Sequence, residues 1–358
     1  MKLGIVGLPN VGKTTLFNAL TGAKAETGAY TNVGARPNVG VAKVPDERLD
    51  WLAEYYHPKK YTPVTIEFVD IAGIGKGSGK GNELLNVIRQ TDALVQVVRC
   101  FDDEEIFLEE ADAARDAETL NLELILADIE LVERRLERAK KNAKGGDKKY
   151  KRECDMCQEL IEHLSDGKPA RTFEFTEEDR DILADGGLLS VKPVIYVANL
   201  DESGMADYTN DPNYQALSAI AAEQGAAVLP VAAKFEEDIA DMDPEEAAMF
   251  MEELGLKERG LDRLIRTSYD LLGYISFLTA GEDDVHAWTI VRGTKAPKAA
   301  GKVHTDIERG FIRAEIVAFE DLKACGSMSA AKEKGLFRLE GKDYVMQDGD
   351  ITNFRFNI

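Results

Sequence analysis

Apolar positions cluster in short runs over much of the chain, separated by polar loops. Such runs, when turn residues bound them, are typical of strands buried on both faces of a sheet. Four of them are Leu3–Val6, Val64–Val69, Val194–Ala198 and Ala227–Val231. After the first run and a glycine-rich loop, Thr15–Leu20 has the pattern of the first turns of a helix. We therefore predict an α/β fold with a mostly parallel sheet.

Between the second and third runs, the apolar spacing changes to that of a coiled coil. One stripe, spaced by three and four residues, consists of Ile125, Ile129, Val132 and Leu136. After Gly145 and Gly146, a second stripe consists of Tyr150, Cys154, Cys157, Ile161 and Leu164. Two striped helices joined by a polar glycine loop predict an antiparallel helical coiled-coil insertion, which we place at residues 119–167.

The last 80 or so residues have a third pattern. Strand-like runs occur at Ala287–Val291, Phe311–Val317 and Asn353–Ile358, and the last alternates polar and apolar residues. Between them, Gly293–His304 is basic and rich in glycine and alanine, and we expect it to be a loop. We predict a separate small α+β domain at 277–358, a kind of module that usually binds rather than catalyses.

Composition limits the class of protein. The chain has 358 residues, so two or three domains are expected, and 44% of them are hydrophobic, enough for more than one core. The formal net charge of −21 opposes general adhesion to nucleic acid, so contact with a polyanion needs a local basic patch. The sequence has no apolar stretch long enough to span a membrane and no signal-peptide pattern. We expect a cytoplasmic protein without membrane contact.

A complete phosphate-binding pattern follows the first strand. Gly7–Thr14 reads G-L-P-N-V-G-K-T and matches G-x-x-x-x-G-K-[ST] in the strand–loop–helix context that the motif requires. The glycines let backbone N–H groups point at phosphate oxygens, and the helix adds its positive N-terminal end. Lys13 is expected to reach the β- and γ-phosphates and the hydroxyl of Thr14 to bind Mg²⁺. The predicted nucleotide contacts in this loop are Asn10, Val11, Gly12, Lys13, Thr14 and Thr15.

The second strand ends in Asp70-Ile71-Ala72-Gly73, the D-x-x-G element of GTPase-type proteins. We expect Asp70 to hold the Mg²⁺ shell through water and the N–H of Gly73 to contact the γ-phosphate. The glycine-rich, cationic segment Ile74–Gly81 is then expected to be a switch loop that orders over this phosphate.

The third motif bears on the base. A protein that binds guanine has N-K-x-D after the strand that corresponds here to Val194–Ala198. The Asp of that motif accepts hydrogen bonds from the guanine N1–H and amine. This chain keeps the Asn as Asn199 but has Leu200 in place of the Lys and Glu202 in place of the Asp. These two changes remove the guanine pattern and favour adenine, whose N6/N7 edge the Asn199 amide would contact. After the next strand, Ala233-Lys234 resembles the loop that closes over the base in GTPases.

Basic residues concentrate at the predicted hairpin tip. From Arg134 to Arg152 there are ten Lys or Arg residues, and the only acids are Glu137 and Asp147. A charge run is often a solvated helix face, but its position at the end of a protruding element favours contact with RNA or a ribosome. Cys154 and Cys157 form a C-x-x-C pattern on the apolar stripe, where we interpret them as packed residues rather than as zinc or redox ligands.

Together these motifs and two long C-terminal stretches resemble the YchF / Obg-like ATPase family, over essentially the whole chain. The stretches are A-A-G-K-V-H-T-D-I-E-R-G-F-I-R-A at 299–314 and G-K-D-Y-V-M-Q-D-G-D-I-T-N-F-R-F at 341–356. The resemblance implies a split GTPase-type domain at 1–118 and 168–276, the helical insertion, and a TGS domain of β-grasp type at 277–358. It also implies a Mg²⁺-dependent ATPase that prefers ATP to GTP and associates with ribosomes through the basic tip and TGS domain, with K⁺ beside Asn10.

The chain departs from the family pattern where water is activated. Gly34 stands where family members carry a switch-I Thr, and Thr31 is the nearest hydroxyl on its N-terminal side. Ile74 takes the place of the Gln that orients water in Ras-like enzymes, a replacement that is typical of the family. Glu105–Glu109, which includes Leu108, lacks a His found in some members. No catalytic residue is assigned, and we expect slow hydrolysis. The alternatives are a conventional GTPase and a slow-turnover, nucleotide-gated adaptor for RNA or ribosomes.

Overall fold

The structure, a computed structural model, describes residues 1–25, 37–73, 81–103, 106–143, 148–183 and 186–357. The chain divides into two compact units, one of residues 1–41 and 67–264 and the other of residues 42–66 and 265–358. Residues 42–66, which the sequence analysis assigns to the P-loop domain, thus cluster with the C-terminal region. The cause is the strand Lys60–Thr62, which pairs with Asp284–His286.

Several sequence predictions fall outside the described residues. These are the switch loop at 74–80, with Ile74, the switch-I positions Thr31 and Gly34, Glu105, the hairpin turn with Lys144 and its two glycines, and Ile358.

The strands are β1 (Lys2–Val6), β2 (Asn38–Lys43), β3 (Lys60–Thr62), β4 (Thr65–Asp70), β5 (Ala93–Arg99), β6 (Val194–Asn199), β7 (Ala227–Val231), β8 (Tyr274–Ala280), β9 (Asp284–Val291), β10 (Phe311–Ala318), β11 (Arg338–Glu340) and β12 (Asp350–Phe356). The helices of the first half are α1 (Lys13–Thr21), α2 (Glu47–Tyr56), α3 (Gly81–Arg89), α4 (Ala113–Ala143), α5 (Lys148–Ser165) and α6 (Glu177–Ile182). Those that follow are α7 (Glu202–Met205), α8 (Pro212–Glu223), α9 (Ala233–Ala240), α10 (Pro244–Glu253), α11 (Gly260–Leu271), α12 (Ala296–Val303), α13 (Thr305–Arg309), α14 (Phe319–Cys325) and α15 (Met328–Glu333). Short 3₁₀ helices lie at Ala170–Thr172 and Tyr208–Asn210.

The first unit is built on a sheet with strand order β2-β4-β1-β5-β6-β7 among the described residues. The pairs β4–β1, β1–β5, β5–β6 and β6–β7 are all parallel. Strands β5 and β6 are buried along their whole length, as short apolar runs predict. The predicted α/β class with a mostly parallel sheet is confirmed. Since β1 lies between β4 and β5, the loop that follows β1 lies between the ends of these two strands.

Helices α4 and α5 pack against each other as the predicted antiparallel hairpin. Val132, Leu136, Cys157 and Leu164 from the two stripes are buried in its core. Met156 and Leu160 are also buried there, although the sequence stripe missed them. Cys154 packs partly buried at the edge of this core, and burial raises the pKa of Cys157 to about 11. Both cysteines are therefore packing residues, as predicted.

The base of the hairpin is fixed to the first unit by buried polar groups. Asp128 of α4 is fully buried, and its carboxylate accepts hydrogen bonds from the N–H of Leu189 (2.7 Å), the N–H of Ser190 (2.8 Å) and the hydroxyl of Ser190 (2.6 Å). Helix α4 also begins earlier than the predicted insertion, because Ala113, Ala117, Leu120 and Leu124 pack in the core of the sheet. The insertion is thus continuous with the nucleotide-binding unit.

The second sheet has strand order β11-β10-β12-β8-β9-β3 in the described part of the chain. Its core includes Phe277, Ile290, Ala299, Ala300 and Phe354. The prediction of a loop at Gly293–His304 is wrong for most of its length, because α12 occupies Ala296–Val303. Pro297 suits the first turn of a helix, and three buried alanines give α12 its packing face.

None of the helices in the described ranges is long and apolar enough to cross a membrane.

We predict that Asp128→Asn destabilises the hairpin base by about 1–3 kcal/mol, because an amide nitrogen would face an N–H donor in a buried site. Urea unfolding followed by circular dichroism measures the loss. The matched control, Asp155→Asn, changes an exposed acid on α5 and should leave the transition in place. Equal midpoints for the two variants would contradict the anchoring role of Asp128.

Candidate nucleotide-binding site

The sheet brings the predicted motifs to one edge. Ile5 of β1 lies beside Asp70 of β4, Arg99 of β5 beside Asn199 of β6, and Asn199 in turn beside Val231 of β7. The carboxyl ends of parallel strands meet at the same edge, where α/β proteins bind ligands. The P-loop, the D-x-x-G motif, the Asn199 loop and the Ala233 loop therefore lie next to one another.

The P-loop has the backbone of a phosphate cradle. Asn10 has φ = 63° and Gly12 has φ = 94°, so the chain curls through the left-handed region before α1 begins at Lys13. The side chain of Lys13 is buried, and its ammonium donates a hydrogen bond to the carbonyl of Leu8 (2.6 Å). Burial lowers the pKa of Lys13 to about 8, and the charge of Asp70 opposes this shift. The ammonium of Lys13 is therefore folded back onto the P-loop, over the space that phosphates would fill.

The predicted metal ligands are in contact. The hydroxyl of Thr14 donates to Oδ2 of Asp70 (2.9 Å), and the amide of Asn38 donates to the same oxygen (3.4 Å). Oδ1 of Asp70 is buried and has no hydrogen-bond partner among the described residues. A buried carboxylate oxygen with free lone pairs beside a threonine hydroxyl is an all-oxygen donor set of the kind that Mg²⁺ prefers. The residues present therefore fit Mg²⁺.

Gly73 lies directly against the P-loop. A Cβ at this position would be 2.8 Å from the backbone nitrogen of Pro9 and 2.9 Å from its Cα. Any other residue would have to displace the P-loop backbone, so the glycine allows the D-x-x-G loop to approach the phosphate cradle. The expected contact between its N–H and a γ-phosphate stays a prediction.

Asn199 has a role that the sequence analysis did not foresee. Its side chain is buried, Nδ2 donates to the carbonyl of Val11 (2.9 Å), and Oδ1 accepts from the N–H of Ala233 (3.0 Å). The amide also covers Gly12, where a Cβ would collide with Nδ2. Asn199 thus ties the P-loop to the loop after β7. Only the second hydrogen of Nδ2 and the second lone pair of Oδ1 therefore remain for a contact between Asn199 and the adenine N6/N7 edge.

The other base-reading candidates differ in exposure. Leu200 is buried in the core of the sheet, whereas Glu202 is exposed at the first turn of α7. Lys234 is exposed, and its ammonium lies 2.8 Å from Asp238 and 3.3 Å from Glu237. Of these three side chains, only Glu202 and Lys234 are free to meet a base without repacking the core.

The side chain of Leu108 is fully exposed, and Arg99 holds the segment in which Leu108 lies. The buried guanidinium of Arg99 donates to the carbonyls of Glu109 and Glu110 and stacks over the ring of Phe107, 3.9 Å from its centroid. The aliphatic side chain of Leu108 has no group that can orient a water molecule.

The sequence analysis missed two asparagines. Asn38 contacts Asp70, as described above. Asn18 donates from Nδ2 to the carbonyl of Ala25 (3.0 Å) and accepts at Oδ1 from its N–H (3.0 Å), so it pins the segment after α1. Asn18 occupies an ordinary helical position, and neither asparagine belongs to the P-loop, the D-x-x-G motif or the base-reading motif. Only the fold reveals what either amide contacts.

Comparison with protein-family models gives two matches. Residues 2–128 match a family described as a 50S ribosome-binding GTPase. Residues 274–357 match the C-terminal domain family of YchF GTPases, which is described as a protein of unknown function.

Curated relatives match over nearly the full length. The ribosome-binding ATPase YchF of Bacillus subtilis is 51% identical over 99% of this chain and 99% of its own. The protein of the same name from Escherichia coli O157:H7 is 46% identical over 100% of this chain and 99% of its own. Obg-like ATPase 1 of Oryza sativa subsp. japonica is 41% identical over 100% of this chain and 92% of its own.

A solved structure supports the same fold. The Schizosaccharomyces pombe YchF GTPase superposes with a TM-score of 0.87 at 35% identity, covering 99% of this chain and 97% of that one.

We predict that Lys13→Ala lowers the affinity for Mg-ATP at least 100-fold, because no other P-loop side chain carries a positive charge to the phosphates. Isothermal titration calorimetry gives the affinity, and circular dichroism checks the fold. The control, Lys43→Ala, removes an exposed lysine from β2 and should bind as the wild type does. A folded Lys13→Ala variant with wild-type affinity would show that the site is wrongly assigned.

Proposed function

The chain belongs to the YchF / Obg-like ATPase family, and on that premise we propose that it is a Mg²⁺-dependent ATPase that prefers ATP to GTP and acts on ribosomes in the cytoplasm. The relatives that match over their full length are named ribosome-binding ATPases. The observation that carries the proposal is the assembled edge of the first sheet, where Lys13, the Thr14–Asp70 pair and the Asn199 brace lie together.

Each residue has a distinct task in this activity. The P-loop N–H groups and Lys13 bind the β- and γ-phosphates, for which Lys13 leaves the carbonyl of Leu8. Thr14 and Asp70 would hold Mg²⁺, which when bound would supply positive charge against the charge that develops on the phosphates. Gly73 keeps the D-x-x-G loop against the P-loop. In this proposal K⁺ is an additional cation beside Asn10.

The preference for ATP rests on Glu202 and Leu200. Glu202 begins a helix whose cap, Asp201, accepts from the N–H of Gly204 (2.7 Å), so its backbone position is fixed. Its carboxylate is one methylene longer than the Asp that reads guanine and cannot take the same bidentate position on that backbone. Buried Leu200 also provides no ammonium in place of the usual Lys. Both changes weaken guanine recognition. A site that selects its base through fixed hydrogen bonds loses much of its selectivity when the required donors and acceptors are replaced.

Ribosome contact is assigned to the hairpin tip and the C-terminal domain. Two arginines of the basic run form ion pairs within the fold: Arg135 pairs with Glu153 (2.7 Å), and Arg152 pairs with the buried Asp179 (2.7 Å). Lys140, Lys141, Lys148 and Lys149 are exposed at the described tip, where Lys140 lies 3.6 Å from Glu137. In the C-terminal domain, Lys298 is paired with Glu308 (2.6 Å) and Lys295 with Asp343 (2.8 Å), so two lysines of its basic segment have acidic partners. The hairpin is therefore the stronger candidate.

A slow-turnover adaptor is the second candidate function, and the exposed, aliphatic Leu108 favours it. Both candidates use the same nucleotide pocket. Single-turnover hydrolysis with and without ribosomes separates them, because an adaptor would stay slow in both conditions.

We predict that ATP binds more tightly than GTP and that Glu202→Asp narrows the difference, because the shorter carboxylate approaches the guanine-reading position. Calorimetry with ATP and GTP, each with Mg²⁺, measures both affinities. Glu202 is exposed, so this change leaves the core intact, whereas Leu200→Lys would place an ammonium in the core. Equal affinities in the wild type, or tighter GTP binding, would refute the proposed selectivity.

We predict that replacing Lys140, Lys141, Lys148 and Lys149 with Ala weakens ribosome co-sedimentation and flattens its salt dependence. Each lost phosphate contact should reduce the slope of log affinity against log salt by about 0.7–0.9. A matched variant removes four other exposed lysines, Lys43, Lys59, Lys168 and Lys257, and changes net charge equally. If both variants lose the same affinity, the effect is one of total charge and the tip is not the contact.

A further inference from the structure

The two oxygens of the Asp70 carboxylate have different surroundings. Oδ2 accepts from the hydroxyl of Thr14 (2.9 Å) and from Nδ2 of Asn38 (3.4 Å). Oδ1 is buried and accepts from no group in the described structure. Leaving a buried carboxylate oxygen without a partner is unfavourable, so this arrangement marks Oδ1 as the atom prepared for a ligand.

Two donors on Oδ2 fix the carboxylate in a way that one does not. The terminal torsion of an Asp side chain has a broad energy minimum, so the carboxylate can turn about it at little cost. The hydroxyl of Thr14 rotates freely and can follow that turn. The amide of Asn38 comes from a separate strand, so the two donors hold Oδ2 from two different chain segments. With both donors in place, Oδ2 is held and Oδ1 keeps its direction.

The position of Asn38 is itself fixed by close packing. Asn38 begins β2, and two residues later Gly40 lies against the last residue of α1, where a Cβ would be only 2.6 Å from Cγ2 of Thr21. The first turn of the same helix carries Thr14. Helix α1 therefore sets the position of both donors, one by carrying it and the other by packing against its strand.

We propose that Asn38 is a positioning residue of the metal site, whose amide holds the Asp70 carboxylate so that Oδ1 faces the Mg²⁺ shell. A neutral amide suits this task, since it orients the carboxylate and leaves its negative charge for the metal. A lysine or arginine here would compete with the cation. This inference rests on the proposed function, because it concerns Mg²⁺ at the same nucleotide site.

The test measures how much Mg²⁺ strengthens ATP binding, by calorimetry with excess Mg²⁺ and with EDTA. For Asn38→Ala we expect the Mg²⁺-dependent gain in affinity to fall about tenfold, as for loss of a hydrogen bond to a charged group, with unchanged affinity in EDTA. Asn38→Gln, which keeps the amide donor on an exposed side chain, should recover most of the gain. The control, Asn210→Ala, removes an amide that donates to Asp207 (2.7 Å) in a 3₁₀ helix and should match the wild type.

The outcomes separate this inference from the proposed function. If wild-type protein binds no Mg-ATP, the proposed function fails. If the wild type shows a Mg²⁺-dependent gain and Asn38→Ala shows the same gain, the positioning role of Asn38 is refuted. An equal loss with and without Mg²⁺ also refutes it, because Asn38 would then support the nucleotide loop or the strand and not the metal. Thermal unfolding of each variant confirms that the compared proteins are folded.

Discussion

One buried amide joins the chain segments that form the nucleotide edge of the sheet. Asn199 bonds the carbonyl of Val11 on one side and the N–H of Ala233 on the other, and its amide fills the space above Gly12. Each of these backbone groups would be left without a partner in a buried place if the amide were absent, which is costly. The P-loop therefore keeps its shape through a contact with the end of β6, which lies two positions from β1 in the sheet, and not through its own eight residues alone. Its sequence motif is necessary for that shape, but the parallel register of β1, β5 and β6 makes the brace possible.

The same strand fixes the hairpin to the nucleotide edge. Tyr196 of β6 accepts a hydrogen bond from Asn121 of α4 (2.9 Å) and donates one to Gln224 (2.9 Å). Arg171 donates to both Gln224 and Asn121, so one buried cation completes the cluster with neutral oxygens. Three residues after Tyr196, the strand delivers Asn199. The base of the insertion is thus bonded to Tyr196 and the P-loop to Asn199, two side chains of the same strand.

The sequence was sufficient for elements whose signal is local. Short apolar runs predicted β1, β4, β6 and β7, and the P-loop and D-x-x-G motifs predicted which side chains meet, since Thr14 and Asp70 are in contact. The sequence was insufficient where a contact between residues far apart in the chain determines which side chains are buried or which unit a segment joins. Met156 and Leu160 are buried in a core that also contains Ile182 of α6 and Leu188, residues outside the two striped helices. Residues 42–66 join the C-terminal unit through pairing of β3 with β9, more than 200 positions away.

Charge counting has the same limit. The run from Arg134 to Arg152 is basic in sequence, yet Arg135 and Arg152 point to acids of the hairpin and of α6. Asp179 is fully buried, and removing Arg152 would leave its carboxylate without its ion-pair partner, so that cation stabilises the fold. The exposed lysines have no such task, because solvated ion pairs contribute little to stability. Conversely, the acidic net charge of the whole chain says little about the electrostatic potential at the hairpin tip. At 0.1 M salt, interactions between exposed charges are screened over about 10 Å, so distant acids have little effect on the basic tip. What a polyanion meets is therefore set by which cations the fold leaves exposed and which it pairs with buried acids, and only the tertiary structure separates the two groups.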